Sequence, residues 1–73
     1  MNKLPKISGQ ECIKALQKAG FYKKRQHGSH VILRRDDPFS QLVVPEHTEL
    51  DRGTLRAIIR QSGMSIDEFT ELL

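Results

Sequence analysis

The chain has 73 residues, of which 12 are lysine or arginine and nine are aspartate or glutamate, so its net charge near neutral pH is +3. A chain of this length forms one domain, residues 1–73, and its core alone stabilises it by only about 3–5 kcal/mol. The single cysteine, Cys12, excludes an internal disulfide, and no apolar run approaches the length of a membrane span. We therefore expect a soluble cytoplasmic protein that does not enter the membrane.

Charge is arranged in blocks along the chain. Residues 21–35 carry five basic residues and no acidic one, whereas residues 36–51 carry five acidic residues and no basic one. Three arginines follow in residues 52–62, and three acidic residues in 63–73. Nucleic acid is the natural partner of the basic block, because lysine and arginine neutralise backbone phosphates.

A capping box predicts the first helix, over residues 8–19. Ser8 and Glu11 have the spacing at which each side chain bonds the backbone amide of the other. Gly20 ends the helix. Cys12 falls on the apolar side of this helix, so we interpret it as a small buried hydrophobe.

Three short strands are predicted next, at residues 21–26, 30–35 and 41–44. Residues 27–29 form the first turn, where glycine can adopt a positive φ, and Pro38 marks the second. Alternation along the second strand leaves open which of its faces meets the helices, because both faces carry apolar residues. The two faces hold His30, Ile32 and Arg34 on one side and Val31, Leu33 and Arg35 on the other.

Two more helices are predicted. The first covers residues 51–62, with an apolar stripe at Leu55, Ile58 and Ile59. A second capping box, Ser65 to Glu68, begins the last helix. Four apolar residues there are expected to pack back onto the domain: Ile66, Phe69, Leu72 and Leu73.

The order of elements is therefore α-β-β-β-α-α. Short strands joined by tight turns favour antiparallel pairing between consecutive strands. We predict an α+β domain in which a three-stranded antiparallel meander carries its helices on one face.

One histidine begins the second strand inside the basic block. His30 carries an imidazole that gains or loses a proton near neutral pH, which suits a ribonuclease because RNA supplies its own nucleophile, the 2′-hydroxyl. Such chemistry needs no metal and no other cofactor. His30 is the candidate catalytic residue, and the candidate RNA-binding residues are Lys23, Lys24, Arg25, Arg34 and Arg35. The same residues are also typical of a non-catalytic RNA-binding hairpin, which is the alternative hypothesis.

Three further residues are candidate supporting groups: His47, Ser29 and Arg34. Transphosphorylation benefits from both an acid and a base, which favours a second histidine. The alternative for His47 is that it hydrogen-bonds the loop that enters the second helix. The spacing of the three histidines matches no recurrent metal-binding pattern, so we expect no metal site.

Residues 55–65 and the short helix after them also look like a helix-turn-helix. The helix that would enter the DNA groove presents Asp67, Glu68 and Glu71, which would repel phosphates. We therefore expect no direct DNA binding by this chain alone.

Taken in order along nearly the whole chain, several short motifs resemble the HicA (YcfA-like) toxins of toxin–antitoxin systems. These motifs are Gly20-Phe21, Arg25-Gln26, Gly28-Ser29-His30, Val44-Pro45-Glu46-His47, Gly53-Thr54-Leu55-Arg56-Ala57-Ile58, Gly63-Met64-Ser65 and Glu68-Phe69. The resemblance implies a double-stranded-RNA-binding-like fold and a type II toxin that cleaves messenger RNA and arrests translation and growth. It also implies a HicB-type antitoxin partner, and it assigns the catalytic histidine to His30.

Overall fold

The computed structural model describes residues 3–73, and its elements follow the predicted order. They are α1 (Gly9–Lys18), β1 (Tyr22–His27), β2 (His30–Asp36), β3 (Phe39–Pro45), α2 (Arg52–Ser62) and α3 (Ile66–Thr70). The strands form one antiparallel sheet in the order β1-β2-β3. The predicted α+β meander is thereby confirmed. Within residues 3–73 no helix has the length and apolar character needed to cross a membrane.

The structure lengthens the predicted third strand at its start. Pairing of Asp36 with Phe39 reduces the connection between β2 and β3 to the two residues Asp37 and Pro38. Because Pro38 lies in this turn, its missing N–H removes no hydrogen bond from the sheet. The strand β3 therefore begins at Phe39, two residues before the predicted start at residue 41.

The helices α1 and α3 begin at the capping boxes that the sequence predicts. The Ser8 hydroxyl accepts from the Glu11 amide at 3.1 Å, and the Glu11 carboxylate accepts from the Ser8 amide at 2.9 Å. Ser65 and Glu68 repeat this reciprocal pair at 3.0 and 2.8 Å, while Asp51 caps α2. These contacts satisfy amides that have no partner within a helix, so they localise its start.

The sheet packs one face against the helices, and no helix of residues 3–73 covers its other face. Val31 and Leu33 are buried on β2, as are Leu42 and Val44 on β3. Since successive side chains alternate between faces, the face that begins with His30 is the uncovered one. Tertiary packing thus decides the question that the alternation of apolar residues left open.

The core lies between the sheet and the three helices. Phe69 of α3 is completely buried in it, and Ile66 and Leu72 pack against it while partly exposed. Leu73 differs from the prediction, because α3 ends at Thr70 and the Leu73 side chain is exposed.

Cys12 is buried on the inner side of α1, as predicted. Burial raises the pKa of its thiol to about 12, because a thiolate would lose its hydration in the apolar core. The thiol therefore stays protonated and unreactive at neutral pH.

Gly9 lies where α1 crosses the end of β3. A Cβ at this position would overlap the carbonyl oxygen of Pro45, and the Gly9 amide donates to the His47 carbonyl at 2.9 Å. We expect Gly9→Ala to destabilise the protein by about 2 kcal/mol, which lowers Tm by on the order of 10 °C. Thermal unfolding followed by circular dichroism measures this.

The matched control is Gly53→Ala in the first turn of α2. The nearest atom to a Cβ at Gly53 is an Asp51 carboxylate oxygen at 3.5 Å, which is an ordinary contact. Alanine has the higher helix propensity, so this variant should gain about 0.5–1 kcal/mol. Equal Tm changes in the two variants would contradict the close approach at Gly9.

Candidate active site

A two-residue turn holds His30 at the end of the sheet. His27 pairs with His30, so only Gly28 and Ser29 lie between β1 and β2. Gly28 has φ 56° and Ser29 does not have a positive φ, as in a type II′ turn. Both histidines are exposed and, as cross-strand partners, share one face, with a typical Cβ separation of about 4.5–5.5 Å. No role for His27 is predicted from the sequence, because its pairing with His30 depends on the register of the hairpin.

We call the uncovered side of the sheet the open face. The strand register and the alternation of side chains assign it Tyr22, Arg25, His27, His30, Ile32, Arg34, Asp36, Phe39, Gln41, Val43 and Pro45. Arg25 pairs with Ile32, two residues from His30 along β2. The structure therefore brings His30, Arg25 and Arg34 onto one surface.

Arg34 lies further from His30 than Arg25 does. Arg34 lies four positions along β2 from His30, about 13 Å at 3.3 Å per residue. The Arg34 Nε donates to Asp36 at 2.8 Å, and its guanidinium lies 5.2 Å from the centre of the Phe39 ring. Arg34 is therefore held at a distance from His30, within the same face of the sheet.

Arg35 points to the other side of the sheet and is engaged within the protein. Its guanidinium lies 4.7 Å from the centre of the Phe21 ring. Its Nε donates to the Pro38 carbonyl at 2.9 Å, and its Nη2 donates to the Ser62 carbonyl at 3.1 Å. These contacts join the β2–β3 turn to the end of α2, so the structure gives Arg35 a packing role.

The two lysines of the basic block are separated by an irregularity in β1. Lys23 pairs with Leu33, and the register then shifts so that Lys24 is the extra residue before Arg25. Lys23 therefore lies on the helix side of the sheet edge, where it lines a groove of about 170 Å³ with Lys14 of α1. Of the five candidate RNA-binding residues, only Arg25 and Arg34 lie on the open face by register.

Glu46 holds the turn that carries His30. Its carboxylate accepts from Gln26 Nε2 at 2.8 Å, and the same nitrogen donates to the Gly28 carbonyl at 2.9 Å. The Glu46 amide donates to the Ser29 carbonyl at 2.7 Å. The sequence motifs include Gln26 and Glu46, but 20 residues separate them, so no local spacing predicts this contact.

His47 lies at the junction of α1 and α2. Its carbonyl accepts from the Gly9 amide, and its charge acts on Asp51. Hydrogen bonds from the Thr54 amide and hydroxyl lower the pKa of Asp51 most, and His47 adds a smaller electrostatic contribution. The hydrogen bond to Gly9 is made by the His47 backbone, so the hypothesis that His47 hydrogen-bonds the loop entering the second helix stays a prediction.

No cluster of three or more histidine, cysteine, aspartate or glutamate side chains suited to a metal ion occurs among residues 3–73.

Comparison with known proteins identifies the family. A family model described as the HicA toxin of bacterial toxin-antitoxin matches residues 9–64. A search of curated proteins found no match. The matched segment begins with α1, includes the whole sheet and α2, and stops before α3. Since it covers most of the 73 residues and contains the His30 turn, the chain belongs to the HicA toxin family.

Proposed function

We propose that this toxin-family protein is an endoribonuclease that cleaves messenger RNA, with His30 as general acid–base. The observation that carries the proposal is the position of His30. It lies exposed at the end of the open face, on a turn held by Glu46, and it shares that face with Arg25. A titratable side chain held beside a cation suits reaction at a phosphodiester.

The proposed reaction is an internal transphosphorylation. The 2′-hydroxyl of the RNA attacks the adjacent phosphorus, the bond to the 5′-oxygen breaks, and a 2′,3′-cyclic phosphate and a 5′-hydroxyl end result. His30 transfers one of the two protons, either from the 2′-hydroxyl or to the leaving 5′-oxygen, and water exchanges the other. Arg25 stabilises the negative charge that develops on the phosphoryl oxygens.

We assign binding of the RNA to the basic side chains on the open face and along the neighbouring edge of β1. Arg25 and Arg34 contact phosphates of an unpaired strand, while Lys23 and Lys24 extend the positive surface along the edge of β1. Cleavage of messenger RNA arrests translation and growth, which places the action of the protein in the cytoplasm.

Membership of a toxin–antitoxin family indicates an antitoxin partner. We infer that it is a HicB-type protein that covers the open face and blocks access to His30. An acidic surface on this partner would complement the arginines there.

The test compares an end-labelled, unstructured RNA with DNA of the same sequence. We expect the purified protein to cleave the RNA and leave 5′-hydroxyl ends, and to leave the DNA intact because DNA lacks the 2′-hydroxyl. Gel electrophoresis and treatment with polynucleotide kinase identify the products. Salt-dependent RNA binding without cleavage would instead support the non-catalytic binding module.

A further inference from the structure

Four side chains form a cluster at the other end of the open face from His30. The Tyr22 hydroxyl donates to the Asp36 carboxylate, 3.2 and 3.1 Å from its two oxygens, and Arg34 Nε donates to one of them at 2.8 Å. The Arg34 guanidinium lies 5.2 Å from the centre of the Phe39 ring. Asp36 thus orients both Tyr22 and Arg34, and Arg34 in turn lies over Phe39.

Phe39 is the most exposed large hydrophobic residue in the described part of the chain, at 64 % of its accessible surface. It does not belong to a continuous apolar patch, because Gln41 separates it from exposed Val43 along the same face of β3. An aromatic ring beside a fixed guanidinium presents two planar surfaces to solvent. Unpaired RNA bases stack on both kinds of surface.

The open face as a whole, rather than the immediate surroundings of the ring, carries more cationic than anionic side chains, which favours a polyanion as its ligand. Among the strand residues assigned to this face, Arg25 and Arg34 are the arginines and Asp36 is the carboxylate, which accepts hydrogen bonds from Tyr22 and Arg34. Asp36 lies six residues from His30 along β2, about 20 Å at 3.3 Å per residue. A strand bound at His30 can therefore continue across the face to Phe39.

We propose that Phe39 and Arg34 form a subsite for an unpaired nucleobase of the RNA, several nucleotides from the bond that is cleaved. The base stacks on the Phe39 ring, and Arg34 contacts the base plane or its phosphate. The inference rests on the proposed function for the identity of the substrate, and it adds a determinant of affinity remote from the reacting phosphate.

The experiment measures binding separately from cleavage. A fluorescent 12-nucleotide RNA carrying 2′-O-methyl groups lacks the nucleophile, so fluorescence anisotropy reports its affinity alone. Phe39→Ala should weaken binding about 5- to 150-fold, the range expected for loss of one base stack. Phe39→Trp should restore the affinity, since tryptophan stacks at least as well. The matched control is Val43→Ala, which removes another exposed apolar side chain from the same face and should change Kd less than twofold.

Cleavage of a dinucleotide gives the second readout. The dinucleotide is too short to reach Phe39 from His30, so Phe39→Ala should cleave it at the wild-type rate. Unchanged affinity of Phe39→Ala for the 12-mer, or an equal loss in Val43→Ala, would overturn the subsite. Should Phe39→Ala instead abolish binding of the antitoxin and leave RNA affinity intact, the ring belongs to a protein-docking surface and the proposal is wrong.

Absence of cleavage by the wild type would contradict the proposed function, while binding of the 12-mer would still test the subsite.

Discussion

Replacement of His30 with alanine is expected to lower the rate of RNA cleavage by about 10²- to 10⁴-fold, the contribution typical of a general acid–base. The fold should be retained, because the His30 side chain is exposed and contributes nothing to the core. RNA affinity should also remain close to that of the wild type, since the arginines of the open face are intact. Initial cleavage rates, Tm and the anisotropy of the 2′-O-methyl RNA measure the three quantities.

Two other histidines provide matched controls for this variant. His27 is the cross-strand partner of His30 on the same face, whereas the charge of His47 acts on Asp51 at the start of α2. We expect His47→Ala to keep the cleavage rate within about threefold of wild type and His27→Ala to keep it within about tenfold, both well below the loss at His30. Cleavage by His30→Ala at the wild-type rate would remove the catalytic assignment.

The second large effect is expected at Phe69. Its ring is completely buried, and truncation of a buried phenylalanine to alanine costs about 3–5 kcal/mol. A core of this size supplies a net stability of the same magnitude. Phe69→Ala should therefore be largely unfolded at 25 °C, as measured by circular dichroism and urea titration.

Two control variants, Phe69→Leu and Leu73→Ala, test whether the loss of stability comes from the packing of the Phe69 ring. The alternative is that any substitution in the C-terminal segment lowers stability. Leucine keeps most of the buried volume, so Phe69→Leu should fold with reduced stability. Leu73 is exposed, and its replacement should change stability by less than about 0.5 kcal/mol. A cooperative unfolding transition for Phe69→Ala near that of the wild type would show that α3 is not part of the core. Phe69 lies outside the matched segment 9–64, so unfolding of Phe69→Ala would show that the domain depends on packing from beyond that segment.

Contacts between residues a few positions apart are the ones that the sequence predicts. Ser8 with Glu11 and Ser65 with Glu68 are three residues apart, and each pair forms the reciprocal hydrogen bonds that its spacing predicts. Gly28 likewise adopts the positive φ expected of its turn. Such contacts depend on neighbours within one turn of chain, so the sequence alone identifies them.

The sequence does not predict which side chains of the candidate site lie on the open face. Arg34 and Arg35 are adjacent and chemically identical, yet one lies on the open face while the other packs over Phe21 and bonds the end of α2. Their sequence context does not distinguish them, because alternation separates two faces without specifying which is covered. The contact of Glu46 with Gln26 is similarly long-range.

The sequence by itself determined the order of the elements, the capping boxes of α1 and α3, the glycine turn before β2 and the histidine that begins β2. The register of the hairpin shortened the predicted turn, residues 27–29, to Gly28 and Ser29. Only the tertiary structure decided that Val31 and Leu33 face the helices, and it thereby exposed His30. The physical reason is that caps and turns are satisfied by groups a few residues apart, whereas burial depends on apolar surfaces that meet only when the sheet and helices pack.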